Sequence, residues 1–449
     1  MSSFPISLNN RPQFTGPLPQ AVDVTVIGGG IIGVMTAWEL KKRGLSVLLC
    51  EKGRVAGEQS SRNWGWIRQQ GRDYAELPIM VDTIRIWKEL DEKLRADIGF
   101  RQAGITYLAR GERKLAEFER WLDGARAYGV DTRLMTRRET EKMLPNAAGW
   151  VGGITTASDA MAEPFVTVPI LARAAAEAGV IIRENCAIRA LDVAGGHVRG
   201  VITECGTVAC ERVVVAAGAW SALFLAAHGI RIPQLSVVSP VMRTEPMKEF
   251  FSGAACDDRF AIRRRADGGY TLTPWSTHDF FIGPDAFRNV FAYLPQLRED
   301  FTSTRFRLSA PKNYPDAWGT RRRWSPEEET PFERCRMLDP VPNPKELDRV
   351  KDFFAKAFPQ IGRPRIKASW GGMIDTIPDV LPIVDKASIG GVTIATGMSG
   401  HGFGIGPGMG IVIADLVQDR GPRHDLGKFS ITRFRGALHE MSSKGPSQF

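Results

Sequence analysis

A chain of 449 residues is too long for one simple core and suits two or three domains. Its 43% hydrophobic and 24% charged residues exclude a disordered polymer. The 59 basic against 50 acidic residues leave a net charge of +9, spread along the chain; this favours anionic ligands and surfaces without pointing to nucleic acid. Six scattered cysteines, at 50, 186, 205, 210, 256 and 335, make neither a redox pair nor a zinc ribbon, so no metal site and a reducing compartment are expected.

The first residues, 1–19, are polar and rich in Pro and Asn, and lack the basic-then-apolar order of a signal peptide; a flexible lead is predicted. Val22–Ile27 reads as a buried parallel strand, Ile31 to Arg43 as a helix stopped by Gly44, and Ser46–Cys50 as a second buried strand. Arg72–Ala96 has the stripe of a long amphipathic helix, with Ile84, Trp87, Leu90 and Leu94 along one side. Ile105–Leu108 (strand), Glu112–Tyr128 and Pro164–Ala178 (helices), and Val180–Glu184 and Val213–Ala217 (strands) follow. From Pro233 to Arg336 short alternating segments such as Tyr270–Thr273 and Phe280–Ile282 are broken by Gly, Pro and Asp, which predicts an antiparallel sheet in a second domain. Trp318–Phe332 reads as an exposed loop, Leu347–Phe358 as a helix, and Gly391–Val417 as strand, glycine-rich loop and a helix starting near Pro407. No apolar stretch is long enough to span a bilayer, so a soluble, cytoplasmic protein is expected. The densest basic runs, Arg263–Arg265 and Arg321–Arg323, read as a solvated face. The functional alternative is peripheral docking on an anionic membrane or an acidic electron acceptor.

The chemistry starts at Gly28-x-Gly30-x-x-Gly33, between the first strand and its helix. Gly28 permits the tight turn, Gly30 a close approach of backbone to a pyrophosphate, and Gly33 close packing of helix on strand. Ile31 opens the helix, whose free N–H groups favour an anion. Glu51 ends the second strand and is placed to accept from ribose hydroxyls, with Lys52 beside it. This much indicates a dinucleotide without choosing which.

Three later segments choose. Gly57-Glu58-Gln59-Ser60-Ser61-Arg62-Asn63, Val213-Val214-Val215-Ala216-Ala217-Gly218-Ala219-Trp220 and Ser399-Gly400-His401-Gly402-Phe403-Gly404 stand in the order and spacing of a known family. With them the sequence resembles the D-amino-acid oxidase superfamily, particularly its branch of glycine oxidase, sarcosine oxidase and related amine dehydrogenases, from Val22 to Phe434. The resemblance implies FAD, expected to be non-covalent because the cysteine that bonds it in the sarcosine-oxidase branch is absent here. It implies flavin contacts at Ser60, Ser61, Asn63, Gly65 and Trp66, at Ile188, Ala217, Gly218 and Trp220, and at Gly372 and Met373. It adds Gly400, His401, Gly402, Phe403 and Gly404 in a loop lying along the ring. Glycines at alternate positions from 400 to 410 would let backbone approach a flat ring, and the following helix would aim its N-terminus at it. His401 reads as a flavin neighbour or a packing histidine, and Trp64 and Trp66 as flavin walls or core. Arg68 occupies the position of the family's carboxylate-binding arginine, against a surface or phosphate role. His278 and Tyr270 are substrate-sheet candidates, with core packing as the alternative.

Three departures qualify the likeness. Trp370–Ile374 holds no cysteine for a covalent flavin bond, Gly404 stands where the branch has a lysine, and no lysine falls between Lys248 and Lys312 to activate dioxygen. The expected fold is α/β: a Rossmann-type FAD-binding domain (20–98, 160–222 and 366–430) plus an α+β substrate domain with an antiparallel sheet (99–159 and 223–365), then a tail from 431. The expected activity is oxidation of the C–N bond of an amino acid or N-substituted amino acid, with dioxygen or a quinone or carrier protein as acceptor. The alternatives are a dehydrogenase of an opine or polyamine conjugate and a non-catalytic electron-relay subunit.

Overall fold

The computed structural model describes residues 4–94, 97–147, 149–299 and 303–434. Val24–Ile27 and Val47–Cys50 are buried at every position, as strands covered on both faces must be. They are central in a six-stranded sheet ordered Ile383–Lys386, Val392–Thr396, Arg212–Val215, Val24–Ile27, Val47–Cys50, Ile181–Arg183. All neighbours are parallel except the edge pair Ile383–Lys386 and Val392–Thr396. Two helices cross on one face of this sheet, Ile31–Lys42 and Gly402–Val417. A Cβ at Gly406 would lie 2.7 Å from Ile31, and one at Gly410 2.8 Å from Met35. The later glycines of the C-terminal run therefore serve helix–helix contact and do not face a ring.

The helix itself starts at Gly402, five residues before the expected Pro407, which sits inside it. Its free N–H groups consequently begin beside His401. The predicted Arg72–Ala96 helix is shorter, Leu77–Lys93, with a proline in its first turn; Ala96 lies outside the described residues.

A second sheet of ten strands is built around the antiparallel pair Leu235–Thr244 and Ile366–Thr376. Sequence boundaries put Ile366–Thr376 with the dinucleotide segments, yet it pairs from Leu235↔Thr376 to Thr244↔Ile366 in this sheet. One of the two basic runs also departs from its surface reading. Strand alternation turns Arg263 inward, and Arg265 follows it to bind the same carboxylate, Glu163, at 3.0 and 3.4 Å. Burial alone would raise the Glu163 carboxyl, but Arg263 overrides it and holds it at about 2.

The lead is anchored from residue 4 onward. The Phe4 ring lies 5.3 Å from Trp370 and 4.3 Å from the Arg62 guanidinium, and Arg54 donates to the carbonyls of Leu8 and Asn10. Met1–Ser3 lie outside the described residues, as does the tail beyond Phe434, which is buried. The Trp318–Phe332 loop is exposed at Trp318, whereas Trp324 packs 5.3 Å from the buried Phe332. No helix among the described residues is long and apolar enough to cross a membrane.

Candidate active site

A cavity of about 420 Å3 opens where the carboxyl ends of the first sheet face the second. At one end Gly28 takes φ +108°, and a Cβ there would lie 2.4 Å from the Ala216 carbonyl oxygen. Gly33 does not line the cavity; its Cβ would sit 2.0 Å from the Gly28 carbonyl oxygen, so it fixes helix against turn. Gly30 precedes the helix without a side-chain cap of its own, and Ser60 Oγ accepts from the Ile31 N–H at 2.9 Å. Glu51 accepts from the Gly29 and Gly53 N–H groups, both at 2.8 Å, and burial pushes its carboxyl up to about 7. Lys52 is engaged by Glu58 at 2.7 Å and lies over the Trp220 ring. Ile188, Ala217, Gly218 and Trp220 complete this wall.

At the other end stand Asn63, Trp66, Gly372, Gly400, His401, Gly402 and Phe403. Besides Gly33, four expected contacts lie outside the wall. Ser61 turns its hydroxyl to the Ala56 carbonyl, and Gly65, at φ +79°, abuts Ala162. Met373 follows the strand's alternation into the core beside Val238, and the Gly404 carbonyl accepts from Trp87 Nε1 at 2.8 Å. Tyr270 is also remote: fully buried, it donates to the Phe251 carbonyl at 2.7 Å. His278 does line the cavity, with Nε2 2.9 Å from the Thr304 hydroxyl.

Arg68 enters this end half-buried. Its Nη1 donates to the Gln70 carbonyl at 2.5 Å and its Nη2 lies 3.3 Å from His401 Nε2. His401 Nδ1 is 3.3 Å from Glu76 Oε2, and Arg72 joins the set, bonding Glu76 Oε1, the Arg68 carbonyl and the His401 carbonyl. Burial first, then Arg72, lowers the His401 pKa to about 4, so the imidazole is neutral near pH 7. Burial would raise Glu76, but Arg72 and then His401 hold it at about 2. With Nε2 facing a guanidinium, which can only donate, the proton belongs on Nδ1, toward Glu76. No carboxylate lies within 4 Å of the Arg68 guanidinium among the described residues.

Aromatic rings enclose this end. Trp64, Trp66 and Trp275 contact one another with centroids 5.6 to 6.1 Å apart, and Tyr107 lies 5.1 Å from Trp275. The sequence left Trp64 and Trp66 open between wall and core; both reach the cavity. Arg72, Glu76 and Trp275 were missed altogether. Arg72 and Glu76 sit four apart beside a helix start, the spacing of an ordinary surface ion pair. Only their burial, at 2% and 0% exposure, separates them from one. Trp275 carries no sequence signal.

A parallel sheet with a glycine turn, set against a second sheet across one cavity, is an architecture suited to a dinucleotide. Residues 23–416 match the family model described as FAD dependent oxidoreductase, and the chain belongs to that family, abbreviated DAO. A solved L-amino acid deaminase from Proteus myxofaciens, in complex with anthranilate, is similar over 94% of this chain and 97% of its own, at 30% identity and a TM-score of 0.89. Sarcosine oxidase subunit beta of Rhizobium meliloti is 24% identical over 97% of this chain and 94% of its own. Human mitochondrial sarcosine dehydrogenase is 28% identical over 58% of this chain, and the match spans only 30% of that longer protein.

FAD fits the cavity. A Cβ at Gly372 or Gly400 would meet no protein atom closer than 3.6 Å, so a side chain there would fill the space a flat ring needs. Trp66 Nε1 is buried without a partner, and the helix starting at Ile31 brings its N-terminus to the cavity. No cluster of side chains suited to a metal ion occurs among the described residues.

Proposed function

We propose that this chain oxidises an α-amino acid or N-substituted amino acid at the carbon next to nitrogen, giving an imine that water hydrolyses to an oxo acid. The observation that carries this reading is Arg68, a guanidinium brought into the cavity with no carboxylate of its own. A planar fork of donors suits the two oxygens of a substrate carboxylate. FAD, when bound, supplies the acceptor for a hydride. Glu51 and the N-terminus of the Ile31–Lys42 helix would hold its ribose and pyrophosphate, and Gly372, Gly400 and Phe403 would border its ring. Trp64, Trp66 and Trp275 exclude water from the reacting carbon, and neutral His401 braces Arg68. The first sheet is the cofactor-holding unit in this reading and the second the substrate-holding one. The proposed setting is a reducing, cytoplasmic compartment, which suits six free thiols.

Arg68→Met should raise KM for a carboxylated amino acid about 10- to 100-fold, the worth of a charge-assisted pair, with a smaller fall in kcat. Steady-state kinetics would show it, on a substrate found by anaerobic bleaching of the flavin with D- and L-amino acids and N-alkyl glycines. An unchanged KM removes the assignment.

The acceptor is read from the lysines. Lys52 is the lysine on the cavity wall among the described residues, and it is engaged by Glu58 at the nucleotide end. Among the described residues no lysine lines the other end of the cavity, which favours a quinone or carrier protein over dioxygen. Substrate-reduced protein mixed with air should reoxidise far more slowly than with a soluble quinone. Fast reoxidation in air overturns this choice of acceptor and leaves the substrate assignment standing.

A further inference from the structure

Three of the six cysteines meet at one place. Cys50 ends the second strand of the parallel sheet, and Cys186 stands just beyond the edge strand Ile181–Arg183 that pairs with it. Their Sγ atoms are 3.6 Å apart, and both residues are 2% exposed. Both line the nucleotide end of the cavity, and the Cys186 N–H donates to the Glu51 carbonyl at 2.9 Å. Cys205 arrives from another element. It sits exposed in the turn between the strands His197–Thr203 and Gly206–Ala209, and its thiol hydrogen-bonds to Cys186. Glu204 pins that turn. Its N–H donates to the Ala187 carbonyl at 3.0 Å, its carboxylate accepts from the Ala187 N–H at 2.7 Å, and Arg336 clasps the same carboxylate at 2.6 and 2.8 Å.

Packing accounts for the buried pair, since a free cysteine behaves as a small apolar residue. It does not account for a third thiol held against them from the solvent side. The three sulfurs run from the surface, through Cys186, to the wall of the flavin site.

We propose that Cys205, Cys186 and Cys50 form an oxidation site, through which a hydroperoxide converts Cys50 and Cys186 to a disulfide and weakens the hold on FAD. This goes beyond the proposed activity and depends on neither its substrate nor its acceptor. Cys205 attacks the hydroperoxide, takes one oxygen as a sulfenic acid, and releases an alcohol, or water where the oxidant is hydrogen peroxide. Cys186 attacks the Cys205 sulfur, and the oxygen leaves as water. Cys50 then attacks the Cys186 sulfur and returns Cys205 as a thiol. Cys50 and Cys186 together lose two electrons and two protons, which the peroxide takes up. Contact with Cys50 lowers the Cys186 pKa, which suits Cys186 to the attacking role. Burial raises the Cys205 thiol, so capture of peroxide is slow and the site answers a sustained excess of oxidant. Forming the bond closes the sulfurs by about 1.6 Å. That draws on Cys50 and on Glu51, the next residue, which would hold the ribose.

The test treats the full flavin-loaded chain with hydrogen peroxide and quenches with catalase. Linked peptides are then read by mass spectrometry, and FAD affinity by flavin fluorescence. A Cys50–Cys186 link is expected, with affinity lowered about tenfold, the worth of one charge-assisted hydrogen bond, and both changes reversed by dithiothreitol. Cys205→Ser should slow the linkage about tenfold or more, because the surface thiol captures the peroxide. Cys186→Ala should bind FAD equally before and after peroxide. Absence of the link, a link with unchanged affinity, or a link formed as fast in Cys205→Ser overturns the proposal. An equal loss of affinity in peroxide-treated Cys186→Ala also overturns it, by assigning the loss to another oxidised group.

Discussion

Gly33→Val should yield a colourless protein. The first added carbon would sit 2.0 Å from the Gly28 carbonyl oxygen and near Val26, so the helix Ile31–Lys42 must lift off its strand. Overpacking of this kind costs about 1–3 kcal/mol by itself. The larger effect is on the site, because the lifted helix carries the N–H groups that would meet the pyrophosphate. Loss of a tightly bound cofactor also removes its share of the stability. Gly195→Ala is the control: its added carbon meets nothing within 4 Å, and the strain of its left-handed φ of +59° lies away from the cavity wall. It should keep its flavin absorbance, whereas Gly33→Val should lose it and melt several degrees lower. A yellow Gly33→Val protein would remove the glycine turn from the binding site.

Glu76→Ala should be the most destabilising change at the Arg68 end of the cavity. It strands the Arg72 guanidinium, 2% exposed, without its carboxylate, a loss of about 3–5 kcal/mol in urea unfolding. It also frees the His401 proton from Nδ1, so Arg68 loses a fixed acceptor and KM should rise. The same groups make the wild type acid-sensitive. His401 has its pKa lowered in the folded chain to about 4 from 6.5. As pH falls from 6.5 to 4 the unfolded chain takes up a proton that the folded chain refuses, and stability declines. Glu76 has its pKa lowered to about 2 from 4.5, so its contribution is present above 4.5 and is lost as pH falls toward 2. His401→Asn should flatten the upper part of this decline, by up to about 2–3 kcal/mol at pH 4. Equal slopes in wild type and variant would mean that His401 is not the group responsible.

The nucleotide half of the fold is legible in the sequence because its determinants are local. Gly28, Gly30 and Gly33 and the acid at the end of the next strand lie within one strand–turn–helix–strand unit. The helix boundary near His401 was not legible: a proline inside a helix reads as a start, and only the packing of Gly406 and Gly410 on Ile31 and Met35 shows where the turns begin. The alternate glycines fit a flat ring and a helix contact equally well. At the other end of the cavity, Arg68 stood out through family likeness. Glu76 and Arg72 look like solvent partners until tertiary contacts bury them, and Trp275 arrives from the second sheet, almost two hundred residues further along. The inward Arg263 and the anchored lead at Phe4 were missed for the same reason, since burial is a property of what folds over a residue.

The strand Ile366–Thr376 belongs to the second sheet by its hydrogen bonds, yet its Gly372 forms part of the cavity wall. After it the chain crosses straight back to the first sheet at Ile383. This ribbon is thus one of the passages that join the two halves, and it runs along the cleft. Neither half can be excised as an independent module without removing one side of the cavity wall.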